Sequence, residues 1–110
     1  MGLRERNKGR RGQRAAKTLL GDRDYVVIET NAGEAVEDLI AEKDGESWCV
    51  EVKNHKLINI PKFLAQARAQ AAKRKKKWML LCRIDGTREW LIMRQGEWSQ
   101  VWRERDTEMG

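Results

Sequence analysis

The spacing of apolar residues along this chain switches between helical and strand-like periods. Over residues 8–20, Gly12, Ala15, Ala16, Leu19 and Leu20 recur at helical intervals, and Gly21 is placed to end the helix. The β-branched and aromatic run over 25–30 predicts a strand, and Asn31, Ala32 and Gly33 a turn. A second strand is expected over 36–41. Asp44 and Gly45 then carry the hairpin signal, and a third strand over 47–53 returns antiparallel to the second. Pro61, the single proline, suits a helical first turn, and Phe63, Leu64, Ala67 and Ala71 continue that helix to about 75. Strands follow over 78–84 and 89–94 around the turn pair Asp85-Gly86, with a short edge strand over 98–102. The order is helix, three strands, helix, two or more strands. A strand–helix–strand crossover in its middle implies an α/β fold with a parallel pair inside a mixed central sheet flanked by helices.

Composition narrows the class. The 110 residues suit one domain, with a core over about 7–102, a basic N-terminal arm and a frayed polar tail from 103. Charged residues make up 36% of the chain, yet runs such as YVVI and WMLLC are too apolar for disorder and too short for a bilayer. No membrane association is expected. The basic start leads into no apolar stretch, so a cytoplasmic protein is expected. Cys49 and Cys82 sit in apolar runs without metal-ligand spacing and read as reduced core residues. The five tryptophans lie in or near strands and read as core or interface. The net charge of +6 favours a polyanionic partner. Lys8, Arg10, Arg11 and Arg14 crowd the first helix, and a second block runs from Lys73 to Lys77. The ordinary reading of such blocks is a solvated face, or for the second a helix C-terminus favoured by cations.

Chemistry concentrates on the third strand, SWCVEVK. Alternation puts Trp48, Val50 and Val52 on one face and Cys49, Glu51 and Lys53 on the other. A carboxylate and an ammonium thus project together from a strand that is otherwise apolar, where each charge needs a partner or an ion. Asp38, on the second strand, can be brought to Glu51 by the hairpin. Two neighbouring carboxylates are best reconciled by a divalent cation, and oxygen donors suit Mg²⁺ or Mn²⁺. Such an ion polarises a phosphate and acidifies bound water, and Lys53 could orient that water or offset phosphorane charge. The alternative for Glu-x-Lys alone is a surface ion pair on an amphipathic strand. His55, the only histidine, could meet a phosphate, but its ordinary reading is an exposed loop residue.

An aspartate on strand two, Glu-x-Lys on strand three and a helix on each side resemble the PD-(D/E)XK nuclease superfamily. Within it, the chain resembles archaeal and phage Holliday-junction resolvases and related phage endonucleases. The matching stretches are NKGRRGQRAAKTLL, VEDLIA, CVEVKN and FLAQARAQAAK, spanning roughly residues 7–94 with the strands between them. The proline of the superfamily's name is absent, since Glu37 precedes Asp38. The resemblance implies a restriction-endonuclease-like αβββαβ core. It implies Asp38 and Glu51 as metal ligands, aided by the Val52 backbone carbonyl, and Lys53 as the catalytic lysine. It also implies a site-lining glutamine on the second helix, matched by Gln66 and, one turn on, by Gln70. The family's first-helix glutamate falls on Gln13, a neutral and weaker ligand suited to a metal-bound water. Glu34, in the turn before strand two, is a compensating candidate whose ordinary reading is a solvated turn residue.

The implied function is Mg²⁺-dependent hydrolysis of phosphodiesters in branched DNA. A homodimer is expected, because a four-way junction has two-fold character. Lys8, Arg10, Arg11, Arg14, His55 and Lys73 are candidate DNA contacts. Two alternatives stay open: a related nuclease for nicking, repair or restriction-like cleavage, and a catalytically weak DNA-binding module suggested by Gln13. An RNA-binding β-rich domain lacks the expected stacking-aromatic motif.

Overall fold

The computed structural model describes residues 3–31 and 37–105, with side chains described for 10–29 and 39–105. Helix α1 (Leu3–Asp22) is followed by strands β1 (Val26–Asn31), β2 (Glu37–Lys43) and β3 (Glu46–His55). Helix α2 (Ile60–Arg74) then leads into β4 (Lys77–Ile84), β5 (Glu89–Arg94) and β6 (Gln100–Arg103). The six strands form one sheet in sequential order. β3 and β4 run parallel and every other neighbouring pair antiparallel. The α/β class and the mixed sheet expected from the pattern are therefore present.

Local chemistry explains the boundaries. Helix α1 starts earlier than its apolar spacing suggests, so the basic stretch expected as an arm is helical from Leu3. It also runs past Gly21, which does not end it. Asp24 takes the left-handed conformation at φ 70° instead, with Tyr25 N–H donating to the Leu20 carbonyl and Asp24 N–H to that of Gly21. This is a Schellman closure with aspartate in the usual glycine place, which its short polar side chain tolerates. Helix α2 opens on Asn59, whose side chain accepts from Lys62 N–H at 3.1 Å, and closes on left-handed Lys75. Asp44 and Gly45 both have positive φ, 52° and 80°, as a two-residue type I′ hairpin requires between β2 and β3. The tail expected to fray from 103 is anchored at first: Glu104 N–H donates to the Arg88 carbonyl. Residues 106–110 lie outside the described part, as do Ala32 and Gly33 of the predicted turn.

Each helix covers one sheet face. Ala16, Leu19 and Leu20 of α1 pack with Leu39, Val50, Leu81, Trp90, Ile92 and Trp102. On the opposite face, Phe63 and Ala67 of α2 pack on Leu80 and Cys82, and Ala71 on Ile40 and Cys49. Both cysteines are free and buried, as expected. Trp48, Trp90 and Trp102 are core residues, while Trp98 is 89% exposed. Gly12 is the close-approach point of α1, since a Cβ there would stand 2.6 Å from Asn54 Cβ. That contact fixes the helix against the last residues of β3. No helix among the described residues is long and apolar enough to cross a membrane.

Candidate active site

The C-terminal half of β3 carries the charged pair. Glu51 and Lys53 alternate onto the α2 face, and Lys53 Nζ lies 3.2 Å from Glu51 Oε2, with side chains 17% and 25% exposed for Lys53 and Glu51. Neither charge is fully solvated, and truncating one would leave the other poorly compensated. Helix α2 roofs the pair, with Lys53 Nζ 5.0 Å from the centre of the Phe63 ring. The parallel register sets Cys82 of β4 opposite Lys53 and Leu80 opposite Glu51. Burial pushes the Cys82 thiol up to about 11, with Lys53 lowering it and Glu51 raising it further. The thiol is therefore protonated and unreactive at neutral pH. His55 is the last residue of β3 and not an exposed loop residue: its ring lies 5.2 Å from Phe63 and it is partly buried. Gln66, one turn beyond Phe63 on α2, has a buried Oε1 with no hydrogen-bond partner among the described residues. Gln70 is partly buried one turn further on.

The remaining predicted site residues are distributed more widely. Asp38 lies in β2, where its backbone pairs with Thr30; its side chain lies outside the described part. The β2–β3 ladder, among the described residues, stops at Leu39↔Val50, and one more step of that register matches position 38 with 51. Among the described residues, the rest of β3 pairs with β4, with Val52 matched to Leu81 and His55 to Ile84. Glu34 and the side chain of Lys8 lie outside the described part. Gln13 is partly buried on α1 and borders a small cavity with Arg10, Arg14, Lys17 and Glu29. Lys73 is exposed in the last turn of α2, as the helix-dipole reading expects. Among the described residues, no three His, Cys, Asp or Glu side chains cluster to hold a metal. Asp38 is not within that set.

On the α1 face, the same end of the sheet holds a polar network that the sequence pattern does not predict. Buried Asn54 donates to Asp85 Oδ1 at 3.1 Å and accepts from Arg83 Nε at 3.2 Å. Arg83 also pairs with Glu104 and lies 4.9 Å from the centre of the Trp90 ring, and Trp90 Nε1 donates to the same Glu104 oxygen at 2.7 Å. Arg11 reaches Asp85 at 3.6 Å. The sequence holds one hint of this network: Asn54 and Arg83 follow apolar residues of the same strand parity, Val50 and Val52 in β3 and Met79 and Leu81 in β4. Phe63 and Cys82 leave none, because their place beside Lys53 depends on the α2 crossover and the parallel register.

The chain matches no protein-family profile, no curated protein and no solved structure.

Proposed function

We propose that the protein is a metal-dependent endonuclease of the PD-(D/E)XK type, acting on branched DNA in the manner of a Holliday-junction resolvase. The observation that carries this reading is the half-buried Glu51–Lys53 pair on one sheet face, just beyond the last β2–β3 pairing among the described residues. The element order and the antiparallel β1–β3 sheet with parallel β4 agree with the restriction-endonuclease-like core that the resemblance implies.

The donor chemistry fits a hard divalent cation. Glu51 offers a partly exposed carboxylate, Asp38 stands on the neighbouring strand, and Gln66 has a buried oxygen in want of a donor or an ion. Asp38, Glu51 and the Val52 carbonyl would hold Mg²⁺ or Mn²⁺, with Gln66 oriented toward it or its water. When bound, the metal polarises the scissile phosphate and acidifies a water. Glu51 fixes Lys53 in position. The Lys53 ammonium then lies where it can hold the attacking water or meet charge developing on the phosphate oxygens. The Phe63 ring beside Lys53 excludes bulk water from one side and strengthens both interactions. The net charge of +6 supplies sequence-independent attraction to DNA. A symmetric homodimer would present two such sites to the two-fold junction.

The test is incubation of the full chain with a four-way junction, a linear duplex and a single strand, in Mg²⁺, in Mn²⁺ and in EDTA. Paired symmetric cuts in the junction, lost in EDTA and in Lys53→Ala with junction binding retained, are expected. Normal cleavage by Lys53→Ala would overturn the role of the lysine. Cuts in linear duplex alone point to a related nuclease, and tight metal-independent binding without any cleavage points to a binding module.

A further inference from the structure

An open cavity of about 530 Å³ lies on the α1 side of the molecule, between that helix and the β4–β6 end of the sheet. Five arginines line it (Arg11, Arg14, Arg83, Arg88 and Arg105) against two carboxylates, Asp22 and Glu104. The carboxylates do not neutralise it evenly. Glu104 is engaged by the nearly buried Arg83 and by Trp90, so that pair forms a fixed wall. Asp22 meets Arg105 only at 3.8 Å, and the Arg105 side chain is 71% exposed. Arg11 is 58% exposed and reaches Asp85 at 3.6 Å. Arg88 donates to the Arg105 carbonyl, which tethers the C-terminal segment to the cavity rim. Exposed ion pairs of this kind contribute little and exchange readily for a better anion. Planar guanidinium forks suit phosphate oxygens in particular.

The cavity and the Glu51–Lys53 pair lie on opposite faces of the same end of the sheet. Lys53 and Asn54 are consecutive, and Asn54 is hydrogen-bonded to Arg83 of the cavity wall. We propose that this arginine cleft is a second contact for the nucleic-acid substrate, binding two neighbouring backbone phosphates away from the scissile one as the polymer passes over the ends of β3 and β4. The assignment rests on the nucleic-acid reading above, but it needs no metal and no cleavage. It adds Arg88 and Arg105, distant from α1 in sequence, to the two α1 arginines, and it gives Arg83 the part of a positioning residue.

The experiment measures binding of the full chain to a labelled four-way junction in EDTA, from about 50 to about 200 mM salt, for the wild type and for Arg14→Gln/Arg88→Gln. Removing one arginine–phosphate interaction lowers the slope of log affinity against log salt by about 0.9. The double variant is expected to bind at least about tenfold more weakly with a slope smaller by about two, at an unchanged denaturation midpoint. Arg14→Lys/Arg88→Lys is expected to recover part of the slope. Unchanged affinity and slope in the Gln variant would overturn the proposal. So would loss of binding to inorganic phosphate or a mononucleotide with DNA binding intact, which would make the cleft a small-anion site. A protein that binds DNA through these arginines but cleaves nothing overturns the nuclease reading alone. One that cleaves junctions with the Gln variant at wild-type affinity overturns the cleft alone.

Discussion

Glu51 and Lys53 are legible as a pair because strand alternation is a two-residue rule that needs no tertiary knowledge. Their surroundings are not, since Cys82 meets Lys53 only through a parallel pairing with a strand 29 positions later in the chain. Cys82 carries a testable consequence. Its thiol is ordinarily near 9.0 and is raised to about 11 in the folded protein by burial, with opposing contributions from Lys53 and Glu51. Folding then favours the protonated thiol, so the associated stability is complete below about pH 9 and is lost as pH rises through about 11. A shift of this size corresponds to up to about 3 kcal/mol. In urea denaturation, the wild type should lose more stability than Cys82→Ala between these two pH values. Parallel losses in the two proteins would remove the thiol from the account.

At the scale of elements, the hydrophobic pattern locates both helices and all the strands, and errs where a backbone choice is left to tertiary context. Gly21 is the natural end of α1 by sequence, yet Asp24 closes it, because the helix is held by Leu19 and Leu20 on the sheet up to its last turn. The glycine that matters is Gly12, which in the periodic pattern is only another small residue. With a Cβ 2.6 Å from Asn54 Cβ, Gly12→Ala must move α1 off β3. The expected strain of about 1–3 kcal/mol exceeds the gain of about 1 kcal/mol in helix propensity. Gly21→Ala, in the same helix with nothing within 4 Å of the added Cβ, should keep that gain. Chemical denaturation of the two variants should therefore give opposite signs. Stabilisation by both would show that the contact between α1 and Asn54 yields freely.

For the whole molecule, the α/β class and mixed sheet follow from the order of elements, but the distribution of charge over the two sheet faces does not. Along the chain, Arg11 and Arg14 belong to a continuous basic stretch. Folding sets them beside Arg83, Arg88 and Arg105, from three separate segments, on the face opposite Glu51 and Lys53. The molecule thus carries the Glu51–Lys53 pair, with its proposed metal at Glu51, on one side of the β3 end and an anion cleft on the other. Whether Glu51 holds a metal is decided by soaking a crystal in Mn²⁺ and measuring its anomalous scattering. One strong peak is predicted about 2 Å from a Glu51 carboxylate oxygen, shared with Asp38, that vanishes in Glu51→Gln. A Mn²⁺ peak elsewhere, or none at Glu51 in crystals whose Asp38 and Glu51 carboxylates point apart, would contradict it.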